Sequence, residues 1–127
     1  MSTFDPSRCR VLIVEDEWLV REMMADVLEE TGFTVSLAAS AAEALRVLRR
    51  DPPIDLVVSD IEMPGVLDGV DLARLLRSQR PEIGVVMVSG CRPRTLPPGV
   101  LFLAKPFVPA ELLRVLSDLA APVRAAS

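Results

Sequence analysis

The chain is 127 residues long, half of them hydrophobic and a quarter charged, with a net charge of −4 and no histidine. A chain of this size can bury roughly two-thirds of its unfolded surface without disulfide or metal staples, and its acidic balance argues against a nucleic-acid surface. No apolar run nears the roughly 18 residues of a membrane span, the N-terminus lacks the basic and apolar regions of a secretion signal, and the isolated Cys9 and Cys91 fit unpaired thiols in a reducing cytosol.

After a polar lead-in over residues 1–9, Arg10 to Val14 reads as a first strand that ends at Glu15-Asp16. Glu17 to Glu30 reads as a helix with Val20, Met23, Met24, Val27 and Leu28 on one stripe, Glu17 four residues before Arg21, and Gly32 as its stop. Phe33 to Leu37 is a second strand. Ser40 and Glu43 have capping-box spacing and open a helix with Ala41, Ala44, Leu45 and Leu48 inward, ended by Asp51-Pro52-Pro53. The third strand, Ile54 to Asp60, climbs through apolar residues to a single aspartate before the chain breaks at Pro64-Gly65.

Asp68 caps a third helix that reaches about Gln79 and points Leu72, Leu75 and Leu76 inward. Pro81 closes it, and Ile83 to Val88 is the fourth strand, leading to Ser89-Gly90. The segment Cys91 to Gly99 holds three prolines and a glycine, which leave no room for a normal helix. Val100 to Ala104 is the fifth strand, followed by Lys105-Pro106-Phe107. A final helix opens at Pro109 with Leu112, Leu113, Leu116 and Leu119 inward, and the chain frays from about Ala121. Arg46, Arg49 and Arg50, then Arg74, Arg77 and Arg80, recur at helical spacing and read as solvated faces. The pattern predicts an α/β fold over residues 1–127, with its core at about 10–119. Its architecture is a three-layer, doubly wound, five-stranded parallel sheet of flavodoxin-like (βα)5 type, the fourth helix short or absent.

Parallel strands would gather Glu15, Asp16, Asp60, Ser89 and Lys105 on one sheet edge. Three carboxylates so close repel one another unless a cation joins them, and Mg²⁺ suits an oxygen-only donor set that has neither His nor Cys. Lys105 is the only lysine in a chain with thirteen arginines, which points to a compact ammonium where a planar guanidinium does not fit. Such a set lacks a base to activate water but holds a carboxylate able to attack phosphorus. Each piece alone has a plainer reading. Glu15-Asp16 can be a polar helix entry, Ser89 a turn former, Phe102 a core residue and Asp60 a cap; only their coincidence at one edge argues for chemistry.

Val-Glu-Asp at 14–16, Ser-Asp-Ile-Glu-Met-Pro-Gly at 59–65, Val-Ser-Gly at 88–90 and Ala-Lys-Pro-Phe at 104–107 together resemble the receiver domain of bacterial two-component response regulators. The resemblance runs from about Arg10 to Leu119 and implies a stand-alone, cytoplasmic signalling protein. In it Asp60 is the phosphoacceptor, Asp16 binds Mg²⁺ directly, Glu15 does so through water, and the Glu62 backbone carbonyl completes the metal ligands. Ser89 is the switch hydroxyl, Lys105 the phosphate partner and Phe102 the rotating aromatic. The implied partners are a sensor histidine kinase or histidine phosphotransfer protein and an unknown output protein, with no nucleic acid or membrane, the chain being a monomer or weak dimer. The implied protein is not an enzyme in the usual sense but assists its own phosphorylation and dephosphorylation.

Two departures stand out: the interval from Ser89 to Lys105 is shorter than typical for the family, and the loop after Asp60 is longer. The first supports an alternative, a receiver-like interaction module that no longer switches. A more distant alternative is a Mg²⁺-dependent phosphohydrolase with an aspartyl nucleophile, a class that usually carries Asp-x-Asp where this chain has Asp60 and Glu62.

Overall fold

In the computed structural model, residues 5–50, 53–93 and 95–126 are described, with side chains as far as Ala120. The apolar runs become β1 (Arg10–Val14), β2 (Thr34–Ala38), β3 (Leu56–Asp60), β4 (Gly84–Ser89) and β5 (Leu101–Ala104), alternating with α1 (Trp18–Thr31), α2 (Ala41–Arg50), α3 (Gly69–Gln79) and α4 (Pro109–Ala126). All strands are parallel, in the order β2-β1-β3-β4-β5. This is the doubly wound arrangement that the alternation of runs predicts. Among the described residues no helix lies between β4 and β5.

Side-chain alternation along the strands divides the core in two. Val11, Ile13, Val58, Val86 and Leu103 face Met24 and Leu28 of α1 and Leu112 and Leu116 of α4. Leu12, Val14, Val57, Val85 and Met87 face Ala41, Ala44 and Val47 of α2 and Leu72 and Leu76 of α3. Beyond α3, where a further helix would cover β4 and β5, the cover is Leu96, Val100 and Phe102, all only partly buried.

Element ends differ from the sequence reading by one or two residues, as hydrogen-bond boundaries do. Gly32 stops α1 with φ 114°, and Asp68 caps α3 in a reciprocal box with Asp71. Ser40 Oγ accepts from the Glu43 N–H, while the Glu43 carboxylate accepts from the Ala39 N–H. Asp51 and Pro52, expected to end α2, lie outside the described residues, as do residues 1–4 of the lead-in, Arg94 and Ser127.

Three expectations are corrected. Met23 is 60 % exposed, because α1 is rotated so that Met24, Ala25 and Leu28 bear on the sheet. The last helix does not fray at Ala121, its backbone remaining helical to Ala126. Arg77 is not on a solvated face: its Nη1 donates to the carbonyls of Pro81 at 2.9 Å and Ile83 at 3.4 Å, and its guanidinium lies against Gly99, whose φ is +85°. Arg77 thereby ties the end of α3 to the start of β4 and to the base of the β4–β5 crossover. No helix among the described residues is long and apolar enough to cross a membrane.

Candidate functional site

The carboxyl ends of β1, β3 and β4 lie side by side because Val14 pairs with Ser59 and Asp60 with Val88, and β5 joins them through Ser89 and Ala104. Each strand's last residue hands the chain to a loop whose backbone stays tied to the next strand. Glu15 N–H donates to Ala38 O, Ile61 N–H to Val88 O and Lys105 N–H to Ser89 O, at 2.9–3.1 Å. These bonds fix where the site's side chains begin.

Glu15, Asp16 and Asp60 converge so that one carboxylate oxygen of each lies within 4.8 Å of the others. Lys105 Nζ stands 3.5 Å from Asp60 Oδ2 and 3.7 Å from Glu15 Oε1. The Glu62 N–H points to Asp60 Oδ1 at 3.4 Å, which folds the loop of residues 61–67 back onto the aspartate. Gly69 opens α3 where its N–H donates to Ile61 O at 2.9 Å; a β-carbon there would lie 2.1 Å from the Asp60 carbonyl oxygen. The glycine lets α3 start against the end of β3.

The electrostatics are those of too few cations among carboxylates. Glu15 is 2 % exposed and its Oε1 is buried without a hydrogen-bond partner. Its pKa is pushed up from 4.5 to about 7, first by burial, then by hydrogen bonding to Asp60 and by the Asp60 charge. Asp16 adds to the rise, and Lys105 opposes it. An orphaned buried carboxylate oxygen beside two further carboxylates, with no nitrogen or sulfur donor among them, fits a hard divalent cation.

The other expected residues divide. Ser89 is buried at the end of β4, and its Oγ accepts the Cys91 N–H at 3.1 Å; it is a turn former here as well as a neighbour of the site. Phe102 lies outside the carboxylate group, half-buried against the α2–α3 side of the sheet, with the Arg92 guanidinium 5.2 Å from its ring centre.

Two arginine contacts went unread in the sequence. Arg21, paired by spacing with Glu17, donates instead from Nη1 to the Glu15 carbonyl at 2.7 Å and so clamps the loop that carries the acidic pair. That of Arg92 with Phe102 is the other. Beside the site, Val20, Met23, Met24, Val27, Phe107 and Leu112 line a groove of about 500 Å³ that reaches Lys105, and Trp18 and Leu19 stand exposed near it on α1.

Residues 11–117 match the family model of the response regulator receiver domain. The chain is 43% identical over 88 residues to the alkaline phosphatase synthesis transcriptional regulatory protein SphR of Synechococcus elongatus, which covers 63% of this chain and 34% of SphR. It is 39% identical over 116 residues to the sensor kinase CckA of Brucella abortus, covering 86% of this chain and 12% of CckA. The chain thus spans about a third of the first of these relatives and about an eighth of the second. Among solved structures, a CheY-like receiver domain protein from Methanospirillum hungatei superposes with a TM-score of 0.86 at 26% identity, over 94% of this chain and 98% of that one. The receiver domain of the hybrid histidine kinase CckA superposes with a TM-score of 0.75 at 35% identity, over 87% and 97%.

Proposed function

Because the chain belongs to the response regulator receiver domain family, we propose that it is a phosphorylatable switch or phosphorelay carrier whose phosphoacceptor is Asp60. The observation that carries this reading is the convergence of Asp60 with Glu15, Asp16 and Lys105 at one sheet edge. The donor is a phosphohistidine on a sensor histidine kinase or phosphotransfer protein. Its P–N bond breaks as a bond forms from an Asp60 carboxylate oxygen to phosphorus, and the imidazole leaves with the electron pair. The transition state is loose and spreads negative charge over the equatorial oxygens of the phosphoryl group.

The protein's part is to hold and stabilise. Lys105 already stands against Asp60 and offers its ammonium to a phosphoryl oxygen, and Ser89 offers a hydroxyl. Glu15, Asp16, Asp60 and the Glu62 carbonyl are the residues that would hold Mg²⁺, which when bound neutralises phosphoryl charge. Phe102 is the aromatic that responds to the change. The groove beside Lys105 and the exposed Trp18 and Leu19 offer apolar contact to a protein partner, and the reading places the protein in the cytoplasm.

Incubation with acetyl phosphate and Mg²⁺, followed by intact mass, tests the reading. The wild type gains one phosphate and Asp60→Ala gains none; equal uptake by both would overturn it. The absence of a helix between β4 and β5 among the described residues favours one second reading, a receiver that binds partners without switching. Trp18 is 66 % exposed and discriminates the two: Mg²⁺ with beryllofluoride changes its fluorescence in a switch and leaves it unchanged in an inert module.

A further inference from the structure

The crossover between β4 and β5 touches the rest of the molecule at two points within a few residues of Ser89. At the first, the Cys91 N–H donates to Ser89 Oγ. At the second, one residue later, the Arg92 guanidinium lies 5.2 Å from the centre of the Phe102 ring. Phe102 pairs in register with Met87, and Met87 and Ser89, two residues apart, face the same side of the sheet. One short segment is therefore hung between the hydroxyl and the ring. Among the described residues no helix intervenes to isolate the two contacts.

We propose that Arg92 is a positioning residue that latches Phe102 in the unmodified protein, and that engagement of Ser89 by a phosphoryl group on Asp60 releases this latch. The inference rests on the phosphoacceptor reading of Asp60. A cation over an aromatic face is held by the ring quadrupole and needs the guanidinium close to the ring. A Ser89 hydroxyl drawn toward a phosphoryl oxygen moves its acceptor oxygen away from the Cys91 N–H. Residues 91 and 92 then lose their anchor, Arg92 withdraws, and Phe102 becomes free to repack on the face of the sheet where Leu96 and Val100 also pack. The crossover segment is thus the element that reports modification. Arg92 is exposed and distant in role from the carboxylates, so its removal leaves the chemistry at Asp60 in place.

The test uses the full chain labelled with fluorophenylalanine, the Phe102 resonance being assigned by Phe102→Leu. Arg92→Gln and Arg92→Lys are compared with wild type, free and with Mg²⁺ and beryllofluoride, and intact mass after acetyl phosphate is recorded for each. The expected result is a Phe102 resonance in free Arg92→Gln shifted toward that of loaded wild type. Beryllofluoride binds this variant roughly two- to fivefold more tightly, matching the loss of one exposed cation–π contact, and Arg92→Lys lies between. An Arg92→Gln protein that takes up phosphate but keeps the wild-type resonance and affinity overturns the latch alone. A wild type that takes up no phosphate overturns the phosphoacceptor reading and the latch with it.

Discussion

Lys105 Nζ lies 3.5 Å from Asp60 Oδ2 while its other carboxylate neighbour, Glu15 Oε1, is 3.7 Å away. One ammonium is shared between a buried carboxyl and the proposed phosphoacceptor, and its loss leaves both without an ion-pair partner among the described residues.

Lys105→Ala should therefore slow phosphoryl uptake from acetyl phosphate on the order of 10²-fold, the usual cost of removing one group that stabilises transition-state charge. Lys105→Arg should not restore the rate, because a planar guanidinium needs more width than an ammonium held between two carboxyls. Time courses by intact mass read both. An alanine variant within a few-fold of wild type removes Lys105 from the mechanism.

The raised pKa of Glu15, about 7 against 4.5, gives the metal-free protein a signed pH dependence. Between these values the folded state keeps a proton that the unfolded chain has released. This contribution to stability is thus complete below pH 4.5 and is lost as pH rises through about 7, amounting to about 3 kcal/mol across the window. In EDTA the urea midpoint should fall from pH 5 to pH 8, and Glu15→Gln should flatten that fall. Mg²⁺ acts in the opposite sense, since it needs the ionised carboxylate, so its stabilising effect should grow with pH over the same range. A Glu15→Gln slope equal to wild type assigns the titration to another group.

Arg21 donates to the Glu15 carbonyl at 2.7 Å and so sets where the acidic pair stands. Arg21→Ala should weaken Mg²⁺ binding roughly tenfold, the low end for groups that orient metal ligands, with helix content by circular dichroism unchanged. Trp18 fluorescence titrated with Mg²⁺ measures this. Unaltered affinity would make the contact a helix tether and nothing more.

The sheet and the site were legible for one reason. Strands buried on both faces appear as unbroken apolar runs, so Val11–Val14 and Leu56–Val58 announce themselves, and the charged residue that ends each run is by topology on the ligand edge. The arginines were not legible. Arg74 is exposed on α3 while Arg77, three residues on, is half-buried and bonded to Pro81 and Ile83, yet helical spacing treats them alike. A long stem with a polar head follows whichever carbonyl or ring tertiary packing brings near, and that information is not local. Helix phase failed similarly at Met23, where a broad apolar stripe admits more than one rotation, and Val47, buried on α2, went unread.

Arg77 also supports a stability prediction. It braces the base of the crossover through one exposed and one part-buried hydrogen bond, so Arg77→Ala should cost on the order of 1 kcal/mol. Gly99→Ala should also destabilise, because φ +85° and a β-carbon 3.1 Å from the Arg77 guanidinium oppose any side chain there. Urea unfolding measures both. The double variant should lose less than the sum, since each change disturbs the same contact.

Gly69 offers a way to separate position from stability. A β-carbon at Gly69 would meet the Asp60 carbonyl oxygen at 2.1 Å, Met87 Cε at 2.6 Å and Ile61 Cα at 2.8 Å. The methionine tip can yield, but the two backbone atoms cannot move without carrying the end of β3, and Asp60 with it. Gly69→Ala should thus lose about 1–3 kcal/mol, as overpacked sites do. Leu116→Ala, at a fully buried position on the α4 side of the sheet, should lose about 2–5 kcal/mol through its cavity. At a temperature where both variants remain folded, the leucine variant should take up phosphate like wild type. The glycine variant should be slower, because a shift on the order of 1 Å in a reacting group can cost about 10²-fold. Equal rates in the two would show that the end of β3 tolerates displacement, and that α3 starting on the Asp60 carbonyl is packing without consequence for the aspartate.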